Sequence, residues 1–332
     1  MFMDNRYDYS EQNRIIAKIL KLHYLENLSQ AEVAQKLGLS AVKVNRLLKI
    51  ARQSGMIEIN IRLPYTNLFD LENQILSLSS LKEIIVTPSI DDLPAGDLSL
   101  IAQVAAKHLV NLIRPKENIC LGGGRTVFEV INKIDYQRIP GVRILPAIGG
   151  IQRDEKRDVN SLSNRMAERL GGEAMQFYAP AFAETEAERE TIYQLTHVSK
   201  ALELASQAGI GVFGIGTLQI DASIIQYCSL PYHQLSEMVK KSDGVGEILG
   251  YVINAQGEEC IPEVSNLVIG ISLKDLHKIP IRIGVAAGSH KAPAIAAVIK
   301  GGFYTNLVID ESAARGVLAI LEKENHTSIQ TN

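Results

Sequence analysis

Apolar positions between residues 15 and 48 recur three and four apart and are interrupted by turn residues, which is the period of short amphipathic helices. Ile15, Ile16, Ile19, Leu20 and the Leu22 to Leu25 stretch form one stripe. Val33, Ala34, Leu37, Leu39, one of Val42 and Val44, Leu47 and Leu48 form the next two. Ser29 followed three residues later by Glu32 is a capping box, Gly38 suits the left-handed residue that closes a helix, and Ser40 is a second N-cap. The pattern therefore predicts a helix-turn-helix packed on a preceding helix. After it, Ile57, Ile59 and Ile61 alternate with polar residues beyond Gly55, the period of a strand, and Pro64 ends the run. A winged helix-turn-helix domain over 1–63 is the expectation.

Leu68, Leu71, Ile75, Leu76 and Leu78 predict a connecting helix within 64–81, able to pack on a partner copy or on its own large domain. From residue 82 the pattern changes. Short β-branched runs at 83–87, 119–121, 142–148, 210–215, 281–285 and 307–309 alternate with helical stretches at 99–113, 126–133, 161–170, 191–207, 292–300 and 312–321. That alternation predicts an α/β domain over 82–322, a largely parallel sheet with helices on both faces. The polar end from Glu322 to Asn332 reads as a frayed tail.

At 332 residues, 46% hydrophobic and 21% charged, the chain can hold a small domain and a large one with its own core. No apolar run approaches the roughly 20 residues of a membrane helix, and Met1 to Asn5 does not read as a signal peptide, so a cytoplasmic protein is expected. Cys120, Cys228 and Cys260 are widely spaced and lack metal-ligand spacing, which predicts reduced thiols, no zinc and no cofactor. Net charge is −3, but it is divided unevenly. Residues 1–63 carry ten Lys or Arg against six Asp or Glu, while the remainder carries 24 against 31. A modest basic excess on the head suits DNA binding that needs more than one copy on a site.

On the second helix of the helix-turn-helix, Ala41, Lys43, Asn45 and Arg46 fall on the first two turns, where a recognition helix meets base edges and phosphates. Guanidinium pairs with guanine and carboxamide with adenine, whereas Lys43 suits a phosphate. With Ser29, Gln30 and Ser40 these residues form the candidate contact set for double-stranded operator DNA.

In the large domain, glycine turns follow several predicted strands. Gly122-Gly123-Gly124-Arg125-Thr126 brings bare amides, a helix start, a guanidinium and a hydroxyl together, as an anionic phosphate requires; the alternative is a plain tight turn. It has neither the lysine of a P-loop nor the spacing of a dinucleotide fold. Gly149-Gly150, Gly214-Ile215-Gly216-Thr217 and Ala286 to Lys291 follow other strands. Lys291 falls in a first helical turn, which disfavours a cation unless an anion is bound; the alternative is a surface lysine. Glu247, among Gly244, Gly246 and Gly250, reads either as an acceptor for sugar hydroxyls or as a solvated turn residue. The seven histidines form no pair at ligand spacing.

These residues together resemble the SorC family of bacterial transcriptional regulators. The resemblance runs over nearly the whole chain through the helix-turn-helix, the Gly-Gly-Gly-Arg-Thr turn, Val212 to Gly216, Val245 to Gly250 and Lys291 to Glu311. It implies a sugar-binding domain related in fold to sugar-phosphate isomerases, a DNA-binding head and a homotetramer. It also implies a phosphate-binding turn on Gly123, Gly124, Arg125 and Thr126, hydroxyl recognition by Glu247 and a basic contact from Lys291, with Gly214 and Gly216 in the same effector-binding set. Two positions depart from the family pattern: Glu247 where aspartate is commoner and Ala287 where glycine is common. The expected function is a regulator of a carbohydrate-utilisation operon controlled by a phosphorylated sugar or related metabolite. The enzymatic alternative is a sugar-phosphate isomerase or deaminase, with Glu247 as general base and Lys291 as charge stabiliser or Schiff-base former.

Overall fold

A computed structural model describes residues 11–57, 66–89, 98–151, 155–219 and 223–330. The chain divides into two compact units, Met1–Pro64 and Tyr65–Asn332. The strand expected through Ile59 and Ile61 lies outside the described residues.

In the first unit, α1 (Glu11–Leu20) runs into a wider π turn over Lys21–Leu25, followed by α2 (Gln30–Leu37) and α3 (Ala41–Gln53). Ser29 accepts the Glu32 amide while Glu32 reaches back to the Ser29 amide at 2.8 Å, completing the capping box. Gly38 closes α2 at φ 65°, a left-handed conformation that a β-carbon would strain. Ser40 accepts the Lys43 amide at 3.2 Å and starts α3. Ile16, Ile19, Leu22, Val33, Ala34, Val44, Leu47, Leu48 and Ala51 make the core between the three helices. The choice between Val42 and Val44 is thereby made, since Val44 is buried and Val42 is 80% exposed. Leu25 also faces out, because the π turn rotates it off the stripe that buries Leu22.

The second unit opens with α4 (Thr66–Ser77), whose Leu68, Leu71 and Ile75 enter the core of their own domain. The elements that follow are β1 (Glu83–Thr87), α5 (Ser99–Leu112), β2 (Asn118–Leu121), α6 (Arg125–Asn132), β3 (Arg143–Pro146), α7 (Val159–Leu170) and β4 (Glu173–Ala174). Next come α8 (Glu186–Tyr193), α9 (Thr196–Ser206), β5 (Ile210–Gly214), α10 (Ser223–Tyr227), α11 (Tyr232–Lys241), β6 (Gly244–Ile248) and β7 (Tyr251–Asn254). The chain then forms α12 (Pro262–Ser265), α13 (Leu273–Leu276), β8 (Ile281–Ala286), α14 (Ala292–Lys300), β9 (Asn306–Asp310) and α15 (Glu311–Gln330). Seven strands form one sheet in the order β1-β9-β8-β5-β2-β3-β4, every pairing parallel. Helices cover both faces, so central strands such as Ile119-Cys120-Leu121 are buried throughout.

Three local expectations change. The single helix expected over 191–207 is two, α8 and α9, broken where Leu195 turns extended. Helix α8 begins upstream at the Thr185 cap and buries none of its residues, which is why apolar periodicity does not reveal its start. The tail expected to fray continues as α15 to Gln330. Among the described residues, no helix is long and apolar enough to cross a membrane.

Candidate functional site

In the first unit, α3 has two opposed faces. Val44, Leu47, Leu48 and Ala51 point into the core; Ala41, Lys43, Asn45 and Arg46 are exposed on the other sides. Ser29 and Ser40 serve as caps, and Gln30 begins α2 half-buried. The contact set is thus divided between side chains that build the two helices and side chains available to a groove.

In the second unit, the sheet reverses direction of winding between β2 and β5. The chain leaves β2 toward β3 on one side and leaves β5 toward β8 on the other. A crevice opens outside the carboxyl ends of strands at such a point. Here it is a cavity of about 350 Å³. All eight predicted effector residues line it: Gly123, Gly124, Arg125, Thr126, Gly214, Gly216, Glu247 and Lys291.

The turn after β2 is held open by backbone contacts. The Gly122 amide donates to Val212 O at 3.0 Å and the Gly124 amide donates to Arg157 O at 3.1 Å. Gly124 precedes α6 at φ 97° and has no side chain to cap it. The first amides of α6 therefore have no intrahelical acceptor and, among the described residues, no side-chain cap, and they carry the positive end of the helix dipole. Arg125 is exposed and Thr126 half-buried at the same rim.

Opposite this turn stands a β-hairpin that the sequence pattern leaves unread. Strands β6 and β7 pair antiparallel, and Glu247 of β6 also bridges Gly216. The Glu247 carboxylate accepts the Gly250 amide at 2.9 Å. Burial raises its pKa above the ordinary carboxylate range, partly offset by that amide and by the positive charge of Lys291. Lys291 in turn donates to Ile215 O at 2.7 Å, which fixes its ammonium over the end of β5. Tyr304 donates to Gly214 O at 2.8 Å from beneath, holding the same strand end. The hairpin tip puts Leu249 at φ 52°, an uncommon conformation for a branched side chain, and Leu249 lines the cavity.

Arg157, Phe182, Gln226 and Tyr227 also line the cavity and were not expected there. Arg157 had a faint signal in the basic pair Lys156-Arg157 after Gly149-Gly150; Phe182 sits on an irregular segment and Gln226 and Tyr227 on the short α10, and their approach to the site depends on the tertiary fold. Asp158 organises the Arg157 loop by capping α7 and accepting the Ile151 amide at 2.7 Å. Among the described lining residues, Arg125, Arg157 and Lys291 are cations and Glu247 is the one acid. The cavity therefore presents Arg125, Arg157 and helix amides around the turn after β2, and the Lys291 ammonium together with the Glu247 carboxylate at the end of β5. That combination can hold a small molecule bearing both an anionic group and hydroxyls. Among the described residues, no group of three or more His, Cys, Asp or Glu could hold a metal ion, and the three cysteines are free.

A helix-turn-helix unit followed by an α/β domain with a polar cavity at its switch point defines a regulator class, in which one part holds DNA and the other a small ligand. Residues 63–319 match the model of the sugar-binding domain family, and residues 17–54 match that of sigma-70 region 4, itself a DNA-binding helix-turn-helix. The transcriptional regulator LsrR of Escherichia coli K12 is 29% identical over 306 residues, 91% of this chain and 94% of that one. The erythritol catabolism regulatory protein EryD of Brucella abortus is 28% identical over 303 residues, 90% of this chain and 94% of that one. The crystal structure of the full-length sorbitol operon regulator SorC from Klebsiella pneumoniae superimposes with a TM-score of 0.72 at 25% identity, covering 93% of this chain and 100% of that one. The chain belongs to the SorC/DeoR-type sugar-binding transcriptional regulators. Its relatives are regulators of transcription, so the isomerase or deaminase reading of Glu247 and Lys291 is set aside.

Proposed function

We propose that this regulator controls a carbohydrate-utilisation operon from the cytoplasm, binding operator DNA as a homo-oligomer, a tetramer, under the control of a phosphorylated sugar. The observation that carries the effector class is the polarity of the cavity. The uncapped α6 amides with Arg125 and Thr126 suit a phosphate, Lys291 adds a fixed cation, and Glu247 suits sugar hydroxyls. On the head, Lys43, Asn45 and Arg46 are the side chains assigned to DNA, with Ala41 allowing close approach and Ser29, Gln30 and Ser40 presenting helix starts to the phosphates. The basic excess of the head is small, so several heads on one operator supply the affinity.

Fluorescence anisotropy on the DNA upstream of the protein's own gene tests the reading, with and without a panel of aldose and ketose phosphates. The expected result is a salt-sensitive complex whose affinity changes with one phosphorylated sugar and not with its unphosphorylated parent. Arg46→Ala should weaken the complex by about tenfold or more, the range of a lost guanine contact. An Arg46→Ala protein that binds like wild type, or a complex indifferent to every phosphorylated sugar, would overturn it.

A further inference from the structure

The outward stripe of α3 is polar except at its first position. Val42, Asn45, Arg46 and Lys49 are spaced three and four apart, directly opposite the buried Val44, Leu47, Leu48 and Ala51. Val42 leads that stripe, in the first turn, and is 80% exposed. Nothing among the described residues of its unit explains an apolar side chain there. It takes no part in the core, its β-branch makes it a poorer helix former than alanine, and it stands among side chains that all suit water. The surroundings are positive, with Lys43, Arg46 and Lys49 on the same exposed side and no acid in the first turn of α3. A cationic rim around an exposed apolar side chain at a recognition-helix N-terminus complements the major groove. That groove is lined by acceptors and donors, and its apolar feature is the thymine C5 methyl.

We propose that Val42 is a sequence-determining residue of the head and reads the C5 methyl of a thymine in each operator half-site. The proposal rests on α3 being the recognition helix. Van der Waals contact between the isopropyl group and the methyl removes both from water and discriminates T·A from the other pairs at that step. Asn45 and Arg46, one turn on, are left for hydrogen-bonding to neighbouring pairs.

The test uses the full-length protein and an operator selected from a random duplex pool. Each thymine is replaced in turn by deoxyuridine, which removes the methyl and preserves pairing and charge. Anisotropy should find one position per half-site where wild-type affinity falls about fourfold, the value of one buried methyl-sized group. Val42→Ala, which loses both γ-methyls, should bind the intact operator more weakly and lose most of the response to deoxyuridine at that position, while Val42→Thr, which keeps one γ-methyl, should retain more of it. Because Val42 is exposed, these variants should melt with the wild-type protein, and salt-dependent binding to unrelated duplex should be unchanged. Wild-type indifference to every deoxyuridine, or a Val42→Ala protein that keeps the same methyl response, overturns the assignment and leaves DNA binding standing. Failure to select any duplex at all would instead overturn the DNA-binding reading and this one with it.

Discussion

Gly216 and Glu247 exchange both backbone hydrogen bonds, at 3.0 and 3.1 Å, and the Glu247 carboxylate occupies the space where residue 216 would carry a β-carbon. A β-carbon at residue 216 would overlap the Glu247 carboxylate and its γ-carbon. The absent side chain is therefore what lets the carboxylate lie along the end of β5, between the Lys291 side and the hairpin tip. Gly216→Ala is expected to push Glu247 aside at a cost of about 1–3 kcal/mol, the usual range for overpacking. Thermal melting should register a lowered transition, and stabilisation by a sugar phosphate should largely disappear while operator binding without ligand persists. Unchanged ligand stabilisation would mean that Glu247 does not need its present position.

Burial of Glu247 carries a pH signature. Its carboxyl is raised in the folded protein, so as pH climbs through the ordinary carboxylate range the unfolded chain releases this proton while the native state keeps it. Stability then falls with rising pH until the native group ionises as well, and the penalty persists above that. Glu247→Gln keeps an oxygen for the Gly250 amide and removes the charge. Without ligand, the variant should melt a few degrees above wild type at about pH 8, with the gap closing toward about pH 4. A wild-type protein that melts higher at alkaline pH would show that the Lys291 charge outweighs burial.

The caps fix where the helices of the head begin and end around their shared core. Ser40→Ala removes the acceptor of the Lys43 amide and should lower stability by about 1 kcal/mol. Gly38→Ala forces a β-carbon into a left-handed residue, with a cost of about 1 kcal/mol. Far-ultraviolet circular dichroism and protease sensitivity within 11–57 would reveal either loss, and operator affinity should fall while the melting of the second unit stays in place.

What could be read in advance follows from how local its cause is. The six principal strands, the capped α2–α3 pair and the glycine turns after β2, β5 and β8 are set by short-range patterns, which is why residues 123–126, 214, 216 and 291 can be grouped in advance as neighbours that line one cavity. Glu247 was legible as an unusual carboxylate, but not as part of a hairpin, because the alternation in Val245-Gly246-Glu247-Ile248 is masked by its glycines. Helix α8 offers no apolar stripe, and α10 and α11 lie in a segment with few buried residues. Phe182 and Tyr227 reach the cavity because an irregular segment and the end of α10, both distant in sequence from the glycine turns, fold over it. Whether Val42 or Val44 faced the core depended on the rotation of α3, which one hundred degrees per residue leaves undecided until the packing partner is known.

The proposed recognition of a phosphate makes the sharpest demand on the second unit. Lys291 is tethered to Ile215 O and so is a fixed charge, whereas Arg125 is exposed at the rim and supplies a movable one. Lys291→Met removes the charge and leaves a carbonyl at the end of β5 without its donor, so both ligand affinity and local stability should suffer. Arg125→Ala should reduce affinity alone. Each charged hydrogen bond is worth about 1.5–3 kcal/mol, or roughly ten- to hundredfold in affinity for a phosphorylated sugar. Unphosphorylated analogues should bind both variants much as they bind wild type. Isothermal titration of the phosphorylated and parent sugars against the three proteins measures this difference, and equal losses for the two sugars would place the phosphate elsewhere in the cavity.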